Sequence, residues 1–575
     1  MSDFMNAMDV SANKYTFTEK GQVSFTQKGV GDDMLAFYFK LVRGAPKDYI
    51  DEQMSLLSAD PAKLEDMMVL MFQTRDIRGG KGERELFYNM FLYLYKTTSR
   101  DLMLPLLSLI PIYGSFKDLN VLWEKADTFE QRAYKSGSIL KQDIIKLYTL
   151  HLKSDETLLG ESYYSEDPSF KFSLAAKWAP RESGHFCEMA RELAREYFNS
   201  EPASSKKIYT NYRKLVSKLN KKLDTTEIHM AGNTWKDIKP SKVSSRCLMI
   251  NRDAFQNKVH AGANLGEQRS LVEDRVTCAQ NFKDHLDSGG KVHGAANYPS
   301  EIVKRYNGGK GDVKDFDPIL EAQWQDILSE YEQMFIDKLA TGKSCRNTIP
   351  IIDVSGSMTC GNPSPIDAAV GLGILLTELS SGPFRNRAIT FSKTPEWIDL
   401  TNANSLLQKI NITTNASWGM TTNLYSVFSL ILKVAIEHRL TDTELGNMDL
   451  IILSDMQFDA SQKNSDAWNT TLKNIKKMYK TLGYKTIPHI IFWNLCGTTM
   501  DFPEKADTPN VTMVSGFSPS AAKTLLVEGA DAVKKEKKTP LDTLHEILTD
   551  ERYDTIRNVY RTYIRSQVVN HTRRY

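Results

Sequence analysis

The sequence has few cysteines and none of them at close spacing. Its 575 residues contain six cysteines, which form no C-x-x-C pair of the kind that zinc knuckles and redox motifs use. A long chain with few, scattered cysteines is typical of a reduced intracellular protein. We therefore expect a cytoplasmic protein rather than a disulfide-stabilised secreted one.

Long apolar runs are also missing. Residues 1–17 lack the basic start and the apolar run of a signal peptide. The most apolar stretch, residues 102–113, contains two prolines and is much shorter than the roughly 20 residues that a membrane-spanning helix needs. We therefore expect no membrane association.

No sign of charge predominates in the chain. Lys and Arg number 73 against 71 Asp and Glu, which gives a net charge of +2, so any nucleic-acid site must come from local clustering. Hydrophobic residues make up 41% and charged residues 25%, which excludes a mainly disordered or fibrous protein. At roughly 100–200 residues per domain, this length predicts two to four domains.

The first part of the chain, residues 34–343, is predicted to be an α-helical module that follows an N-terminal extension at residues 1–33. Residues 60–80 show the pattern most clearly, because an acidic N-cap precedes a proline, apolar residues recur at helical spacing, and two glycines end the segment. The helices follow no fixed repeat period.

The pattern changes at residues 344–530, where short apolar strands alternate with helices. This alternation predicts a doubly wound, parallel α/β sheet covered on both faces, which makes the protein multidomain with an all-α module before an α/β domain. A charged loop and a helical tail are predicted for residues 531–575. The predicted strands lie at residues 348–353, 386–391, 449–455, 487–494 and 511–515.

Oxygen-bearing side chains follow the first of these strands. In IPIIDVSGSM, residues 349–358, an apolar strand ends in Asp353, and Ser355 and Ser357 follow at alternate positions. Ligands of open α/β sheets bind at the carboxyl ends of the strands, and carboxylate and hydroxyl oxygens suit Mg²⁺. The segment therefore predicts a divalent-cation site. The alternative is a helix cap with two serine turns.

The Asp-x-Ser-x-Ser pattern resembles the first loop of the metal-ion-dependent adhesion site in von Willebrand factor A domains. Two further loops of that site match in order: SWGMTTNLYSVF, residues 417–428, offers Thr422 with Thr421 as the alternative, and MDLIILSDMQFD, residues 448–459, offers Asp455. Met456 stands where the family often has glycine. The resemblance implies that Mg²⁺ or another divalent cation is held by Asp353, Ser355, Ser357, Thr422 and Asp455.

Two basic segments of the helical module are candidate RNA contacts. Residues 74–87 carry cations across a diglycine turn and a helix start, which together can bind phosphate, or else form a helix hairpin with solvated charges. Residues 204–223 combine seven cations with two tyrosines and no acid, which suits phosphates and unpaired bases, or else form a solvated helix face. The predicted RNA contacts are Arg75, Arg78, Lys81, Arg84, Lys206, Lys207, Arg213, Lys214, Lys218, Lys221 and Lys222.

Known catalytic motifs are not found in the sequence. The dipeptide His545-Glu546 does not continue to the second histidine of a zinc-protease helix, and no nucleophile elbow, dinucleotide fingerprint or kinase set is present. We therefore expect a protein that is not an enzyme and has no catalytic residue.

The whole layout resembles the Ro autoantigen and telomerase-associated (TROVE) proteins, in which a helical-repeat module precedes a von Willebrand A domain. A closer resemblance is to the family called domain of unknown function 2828 (DUF2828), and it is carried by the segments RDIRGGKGER, YGSFKDL, LAAKWAPRE, IIDVSGSM, WGMTTN, SDMQFD and SGFSP.

The Ro resemblance implies a helical module that binds structured or single-stranded RNA and an A domain that carries the metal site. We accordingly expect a non-enzymatic ribonucleoprotein scaffold whose metal site takes an acidic protein ligand. One alternative is a protein-interaction adaptor that uses the metal site without RNA, and another is an accessory regulator of an ATPase.

Overall fold

The computed structural model describes residues 14–572 except 20, 130–135, 162–170, 200–203, 260–267, 308–314, 341–342, 346, 360–363, 381, 392–393, 417–422, 459–470, 500, 526 and 530–537. Its strands are β1 (Tyr15–Phe17), β2 (Val23–Phe25), β3 (Lys343–Cys345), β4 (Asn347–Ile352), β5 (Arg387–Thr390), β6 (Trp397–Asp399), β7 (Met448–Ser454), β8 (His489–Asn494), β9 (Val511–Ser515) and β10 (Val527–Gly529).

The α-helices are α1 (Gln27–Val30), α2 (Asp33–Lys40), α3 (Lys47–Ser58), α4 (Pro61–Arg75), α5 (Arg84–Thr97), α6 (Arg100–Tyr113), α7 (Phe116–Lys125), α8 (Ser136–Glu161), α9 (Ala175–Trp178), α10 (Cys187–Tyr197), α11 (Ser205–Leu223), α12 (Thr226–Gly232), α13 (Ser245–Phe255), α14 (Glu273–Asp287), α15 (Pro299–Tyr306), α16 (Pro318–Ala340), α17 (Pro365–Leu379), α18 (Leu406–Asn415), α19 (Leu424–Glu437), α20 (Asp442–Gly446), α21 (Thr471–Thr481), α22 (Ser520–Leu525), α23 (Pro540–Leu548) and α24 (Asp554–Thr572).

The chain forms two compact units, and each is discontinuous in sequence. The domains predicted from the sequence are consecutive ranges, whereas each unit collects segments from distant parts of the chain. The first unit comprises residues 1–86, 243–269 and 282–552, and the second comprises residues 87–242, 270–281 and 553–575.

A six-stranded mixed sheet forms the centre of the first unit, in the order β6-β5-β4-β7-β8-β9. All neighbouring pairs are parallel except β5 and β6. Five of its strands lie where the sequence predicts them, and β6 is the one that the sequence analysis did not predict. Because parallel neighbours need a crossover of a dozen or more residues, the six residues between β5 and β6 allow only an antiparallel pair.

The strands and the helix α17 form the apolar core of this unit. Every residue of β7, β8 and β9 is buried, as expected for strands covered on both faces. Helix α17 is almost entirely buried, and its residue Gly373 lies so close to β4 that a Cβ there would meet Ile352 at 2.5 Å. A glycine at this position therefore lets the helix lie directly on the sheet.

The N-terminal strands also belong to the first unit. The main-chain N–H of Phe25 in β2 donates to the carbonyl of Phe502 at 2.8 Å, and the N–H of Phe502 returns a bond to Phe25 at 2.9 Å. Residues 14–30, which the sequence analysis assigns to an extension, are thus hydrogen-bonded to the loop that follows β8.

The second unit is helical. Helix α8 packs against α10 and α11, and α6 packs against α7 and α24. The apolar segment around residues 102–113 lies within α6, which has 14 residues and contains two prolines. In the described part of the chain, no helix combines the length and apolar character needed to cross a membrane.

Candidate functional site

Asp353 directly follows β4 and is fully buried at the carboxyl end of the sheet. The hydroxyl of Ser454 donates to Asp353 Oδ2 at 2.6 Å, and the main-chain N–H of Ser355 donates to Asp353 Oδ1 at 2.9 Å. Its own N–H donates to the carbonyl of Leu453 at 3.1 Å. The carboxylate is therefore fixed from both sides, once by the neighbouring strand and once by its own loop.

A second buried carboxylate acts on the first. Asp455 follows β7, which lies beside β4 in the sheet, and its side chain is 3% exposed. Burial and the charge of Asp455 raise the pKa of Asp353 to about 6, although the hydrogen bonds from Ser454 and Ser355 oppose this rise. Because the ionised form of Asp353 is disfavoured here, a bound cation would relieve both the burial and the repulsion.

Two hydroxyls belong to the loop that follows Asp353. The Oγ atoms of Ser355 and Ser357 are 3.1 Å apart, with Ser355 buried and Ser357 exposed. The bond from the Ser355 N–H to Asp353 forms the turn that the sequence analysis weighed as an alternative to a metal site. That turn occupies Oδ1 of Asp353 with one bond and is compatible with a cation near the same carboxylate.

Thr422 and its alternative Thr421 lie outside the described residues. Asn423, the next residue, caps α19 by accepting a hydrogen bond from the N–H of Ser426 at 3.2 Å. Within the described ranges, no three side chains of the His, Cys, Asp and Glu types are grouped as metal ligands. The described donors are two carboxylates and two hydroxyls, a hard-oxygen set that fits Mg²⁺ rather than a transition metal.

Met456 stands where the predicted resemblance to von Willebrand factor A domains would often place a glycine. Its φ of 67° lies in the left-handed region, which costs an L-residue roughly 1–2 kcal/mol. The N–H of Met456 donates to Ser454 Oγ at 3.2 Å, and the N–H of Gln457 donates to Asp455 Oδ1 at 3.1 Å. The side chain of Met456 is also buried, so these contacts offset the strain.

A set of hydrogen-bonded polar residues that begins two positions after Asp455 was not predicted from the sequence. The carboxamide of Gln457 donates to Asp501 Oδ1 at 3.0 Å, and the ammonium of Lys40 donates to the Asp501 carbonyl at 2.6 Å. Burial lowers the pKa of Lys40 to about 8, against a smaller opposing effect of Asp501. Gln457 belongs to the SDMQFD segment, but nothing in the sequence pairs it with residue 40 or residue 501.

The diglycine turn is folded into the first unit. Lys81 is buried, and its Nζ donates to the carbonyls of Tyr38 at 2.5 Å and Leu41 at 3.0 Å and to Ser515 Oγ at 2.6 Å. Arg75 is 3% exposed. Phosphates of RNA cannot reach side chains in these positions, so we leave Lys81 and Arg75 out of the proposed RNA surface.

Arg78 and Arg84 flank the same turn and are exposed. The turn itself is tied to the end of the unit, since Arg552 donates to both carboxylate oxygens of Asp76. The two exposed arginines remain candidate RNA contacts, but the compact cluster of four cations that the sequence suggested is reduced to two.

Helix α11 of the second unit has a buried apolar face and an exposed basic face. Tyr212, Leu215, Val216 and Leu219 are buried. The hydroxyl of Tyr212 donates to the carbonyl of Pro180 at 3.0 Å, so this ring is not available to stack on a base. All seven predicted cations of the helix are exposed: Lys206, Lys207, Arg213, Lys214, Lys218, Lys221 and Lys222.

Among the residues that the structure describes, most of these cations have no acidic partner. Arg213 Nη1 lies 2.5 Å from Glu182 Oε2, whereas the six lysines form no ion pair with any described residue. Tyr209 is partly buried and accepts a hydrogen bond from Arg195 at 2.9 Å. The exposed face of α11 therefore presents ammonium groups rather than aromatic rings.

Comparison with known proteins gives two family matches and one relative. Residues 125–334 match the domain of unknown function DUF2828, and residues 347–562 match the domain of unknown function DUF7788. An uncharacterized protein, L728, of Acanthamoeba polyphaga mimivirus is 28% identical over 518 residues, which cover 89% of this chain and 84% of the viral protein.

The matches divide the segments on which the resemblance was based. LAAKWAPRE lies within the DUF2828 match, whereas IIDVSGSM, WGMTTN, SDMQFD and SGFSP lie within the DUF7788 match. The predicted resemblance to DUF2828 is therefore confirmed over residues 125–334. Over residues 347–562 the chain is similar to DUF7788, and over most of its length it is similar to the mimivirus protein.

Proposed function

We propose that the carboxyl edge of the six-stranded sheet binds a divalent cation, with Mg²⁺ as the ion best suited to its oxygen donors. Asp353 and Asp455 would supply carboxylates, and Ser355 and Ser357 would supply hydroxyls. The observation that carries this proposal is the fully buried Asp353 carboxylate beside a second buried carboxylate. The von Willebrand A resemblance adds Thr422 as a further ligand.

The proposed role of the bound cation is to hold an acidic group of a protein partner. Ser357 is exposed, so the donor set extends to the surface of the unit. Two of the four donors are uncharged hydroxyls, which leaves a divalent cation with affinity for a further carboxylate. No proton or group transfer is part of this role, and we propose a scaffold rather than an enzyme.

We further propose that the second unit binds RNA through the exposed lysine face of α11. Six lysines with no acidic partner among the described residues favour phosphate contacts, which give affinity that falls with salt. With Tyr212 buried, base stacking has little part in this surface, so we propose RNA recognition that depends weakly on sequence. Together the two sites support a ribonucleoprotein scaffold. The adaptor without RNA is the alternative, and the cation site alone would support it.

The cation proposal is tested by Mg²⁺-dependent unfolding of the full chain and of the Asp353→Asn variant, which keeps the shape of the side chain. At about 100 times Kd, a ligand that binds only the folded state stabilises it by about 2.7 kcal/mol. We expect this gain in the wild type and its loss in Asp353→Asn. Asp317→Asn, at another buried aspartate of the first unit, is the matched control and should keep the gain. Equal responses of the wild type and Asp353→Asn would reject the site.

The RNA proposal is tested by the salt dependence of binding. Each phosphate neutralised on a single strand contributes a slope of about −0.7, so replacing Lys214, Lys218 and Lys221 with Gln should flatten the slope by roughly two units. A charge-matched control replaces three other exposed lysines of the second unit, Lys117, Lys146 and Lys153, and should leave the slope unchanged.

Two results would decide against RNA. If the wild type binds neither structured nor single-stranded RNA more tightly than about 10⁻⁴ M at physiological salt, where even non-specific binders reach 10⁻⁴–10⁻⁶ M, the adaptor becomes the better proposal. If the variant keeps the full slope, the lysine face of α11 is only a solvated surface.

A further inference from the structure

The loop after β7, residues 455–458, joins the proposed cation site to the start of the chain. Its first residue, Asp455, is a proposed ligand, and its last three residues are also buried. We call it the Asp455 loop. It is contacted by the N-terminal hairpin, in which β1 and β2 form an antiparallel pair. Loop and hairpin both belong to the first unit.

Two hydrogen bonds from the hairpin hold the second half of the Asp455 loop. The hydroxyl of Thr18 donates to the carbonyl of Phe458 at 2.7 Å, across 440 positions of sequence. The main-chain N–H of Glu19 donates to Gln457 Oε1 at 2.8 Å. Thr18 is itself fixed, because its Oγ1 accepts the N–H of Gln22 at 3.0 Å. The hairpin therefore bonds both the main chain and a side chain of the loop.

Gln457 links this hairpin to the proposed ligand. Its side chain is buried and bonded at both ends, since Oε1 accepts from Glu19 and Nε2 donates to Asp501 Oδ1 at 3.0 Å. Its main-chain N–H donates to Asp455 Oδ1 at 3.1 Å. A buried carboxamide that is bonded through both its oxygen and its nitrogen is held in one orientation. The position of Gln457 is thus fixed from two sides, and Gln457 in turn fixes Asp455.

The turn between these two residues needs such support. Met456 has a φ of 67°, and a residue in this region keeps its conformation only where its surroundings hold it. The side-chain bonds of Gln457 hold the turn on one side. Without them the turn can relax, and the carboxylate of Asp455 is no longer fixed relative to Asp353.

We propose that Gln457 is a positioning residue that holds Asp455 in the geometry that Mg²⁺ requires. Mg²⁺ demands near-ideal octahedral coordination, whereas Ca²⁺ accepts flexible and irregular coordination. A loosened carboxylate therefore weakens the binding of Mg²⁺ more than that of Ca²⁺, so the ratio of the two affinities depends on Gln457. The inference rests on the proposed cation site and adds a residue outside the ligand set that determines its selectivity.

The experiment measures the binding of Mg²⁺ and of Ca²⁺ to the full chain by calorimetry, after removal of divalent ions and at constant ionic strength. The key variant is Gln457→Met, which has nearly the same length and forms neither side-chain bond. We expect its Mg²⁺ affinity to fall at least about fivefold, the change that corresponds to one lost hydrogen bond. Its Ca²⁺ affinity should fall less than about twofold, because Ca²⁺ adapts to a displaced carboxylate.

The matched control is Gln323→Met, at another buried carboxamide of the first unit. The Nε2 of Gln323 donates to the carbonyls of Ser245 at 2.9 Å and His293 at 2.8 Å, neither of which belongs to the Asp455 loop or the hairpin. Urea unfolding in EDTA should show a loss of stability in both variants. Only Gln457→Met should change the ratio of the Mg²⁺ and Ca²⁺ affinities, since a purely structural role lowers stability without changing this ratio.

The possible failures of the cation site and of the positioning role differ in outcome. If the wild type does not bind Mg²⁺, the proposed site and this inference are both wrong. If the wild type binds Mg²⁺ but Gln457→Met keeps the affinity ratio, or Gln323→Met changes it equally, only the positioning role is overturned. Should Gln457→Met fail to fold, Thr18→Val takes its place, because it removes the bond to Phe458 and nearly keeps the side-chain shape. A lower ratio in that variant supports the role, and an unchanged ratio contradicts it.

Discussion

The diglycine turn and helix α11 are both rich in cations, but two of the four cations of the turn, Arg75 and Lys81, are buried, whereas all seven of α11 are exposed. In the turn, Lys81 donates three hydrogen bonds inside the first unit, and Gly82 adopts a φ of 66° at a position where a Cβ would lie 1.9 Å from the hydroxyl of Tyr298. In α11, the six lysines extend from the solvent side of an amphipathic helix.

The difference shows what determines whether a lysine is buried or exposed. On α11 every cation lies between apolar positions that repeat at helical spacing, so packing the apolar face leaves the charges in water. The turn has no such period, and its glycines let the main chain approach the carbonyl of Gln73, to which Lys81 donates its N–H at 2.9 Å. Backbone conformation rather than charge content therefore places Lys81 inside the unit.

The largest expected effect tests the buried side of this comparison. Lys81→Ala removes three hydrogen bonds and leaves a cavity, so we expect the free energy of unfolding to fall by about 3 kcal/mol or more. Chemical denaturation of the purified chain measures this loss. A change below about 0.5 kcal/mol would mean that Lys81 is in practice a surface residue, as the lysines of α11 are.

A second buried lysine, Lys40, should make the stability of the protein depend on pH. Its pKa of about 8 in the folded chain, lowered by burial from 10.5, means that the folded state binds fewer protons than the unfolded state. Stability should therefore rise as pH increases from 8 to 10.5, by up to about 3 kcal/mol at 1.36 kcal/mol per pKa unit.

Lys40→Met removes this dependence and tests it directly. At pH 7 the variant should gain stability because it no longer buries a charge, and it should lose part of this gain because the hydrogen bond to the Asp501 carbonyl is missing. The gain in stability over the wild type should disappear near pH 10.5. Urea unfolding at three pH values measures the trend. A constant difference between the two proteins across this range would contradict it.

The ion pair of Asp76 and Arg552 should have an intermediate effect. The Asp76 side chain is 1% exposed, while the Arg552 side chain is 36% exposed. Asp76→Asn should therefore lower the free energy of unfolding by about 2 kcal/mol, which is less than the effect of breaking an ion pair with both partners buried. The control is Asp51→Asn in the exposed pair with Lys47, which should change stability by less than about 0.5 kcal/mol. Equal effects of the two variants would mean that the ion pair of Asp76 and Arg552 stabilises the fold no more than a solvent-exposed pair does.

The smallest effect on stability is expected for the exposed lysines of α11. Replacing Lys214, Lys218 and Lys221 with Gln should change the free energy of unfolding by less than about 0.5 kcal/mol, because these side chains form no described ion pair. Thermal unfolding in low salt measures it. A large loss would show that the lysine face supports the fold rather than remaining free for a partner.

Much of the sheet and part of the candidate site could be predicted from sequence. The strands of the sheet other than β6 were located to within two residues because buried parallel strands are continuous apolar runs bounded by polar turns. Asp353 and Asp455 were placed at strand ends for the same reason. The strand β6 was missed because its three residues have no clear alternation, and its pairing depends on the short connection from β5.

Local features could be read from the sequence, because apolar residues repeat there with the period of a helix or a strand. This period shows which face of α11 is basic and which strands lead into Asp353 and Asp455. Tertiary structure alone decided that Lys81 lies next to Ser515, that Lys40 bonds the loop at Asp501, and that Gln457 accepts the N–H of Glu19. These contacts join residues hundreds of positions apart. Their energy comes from burial and hydrogen bonds that exist only after the separate segments have come together, so no local period records them.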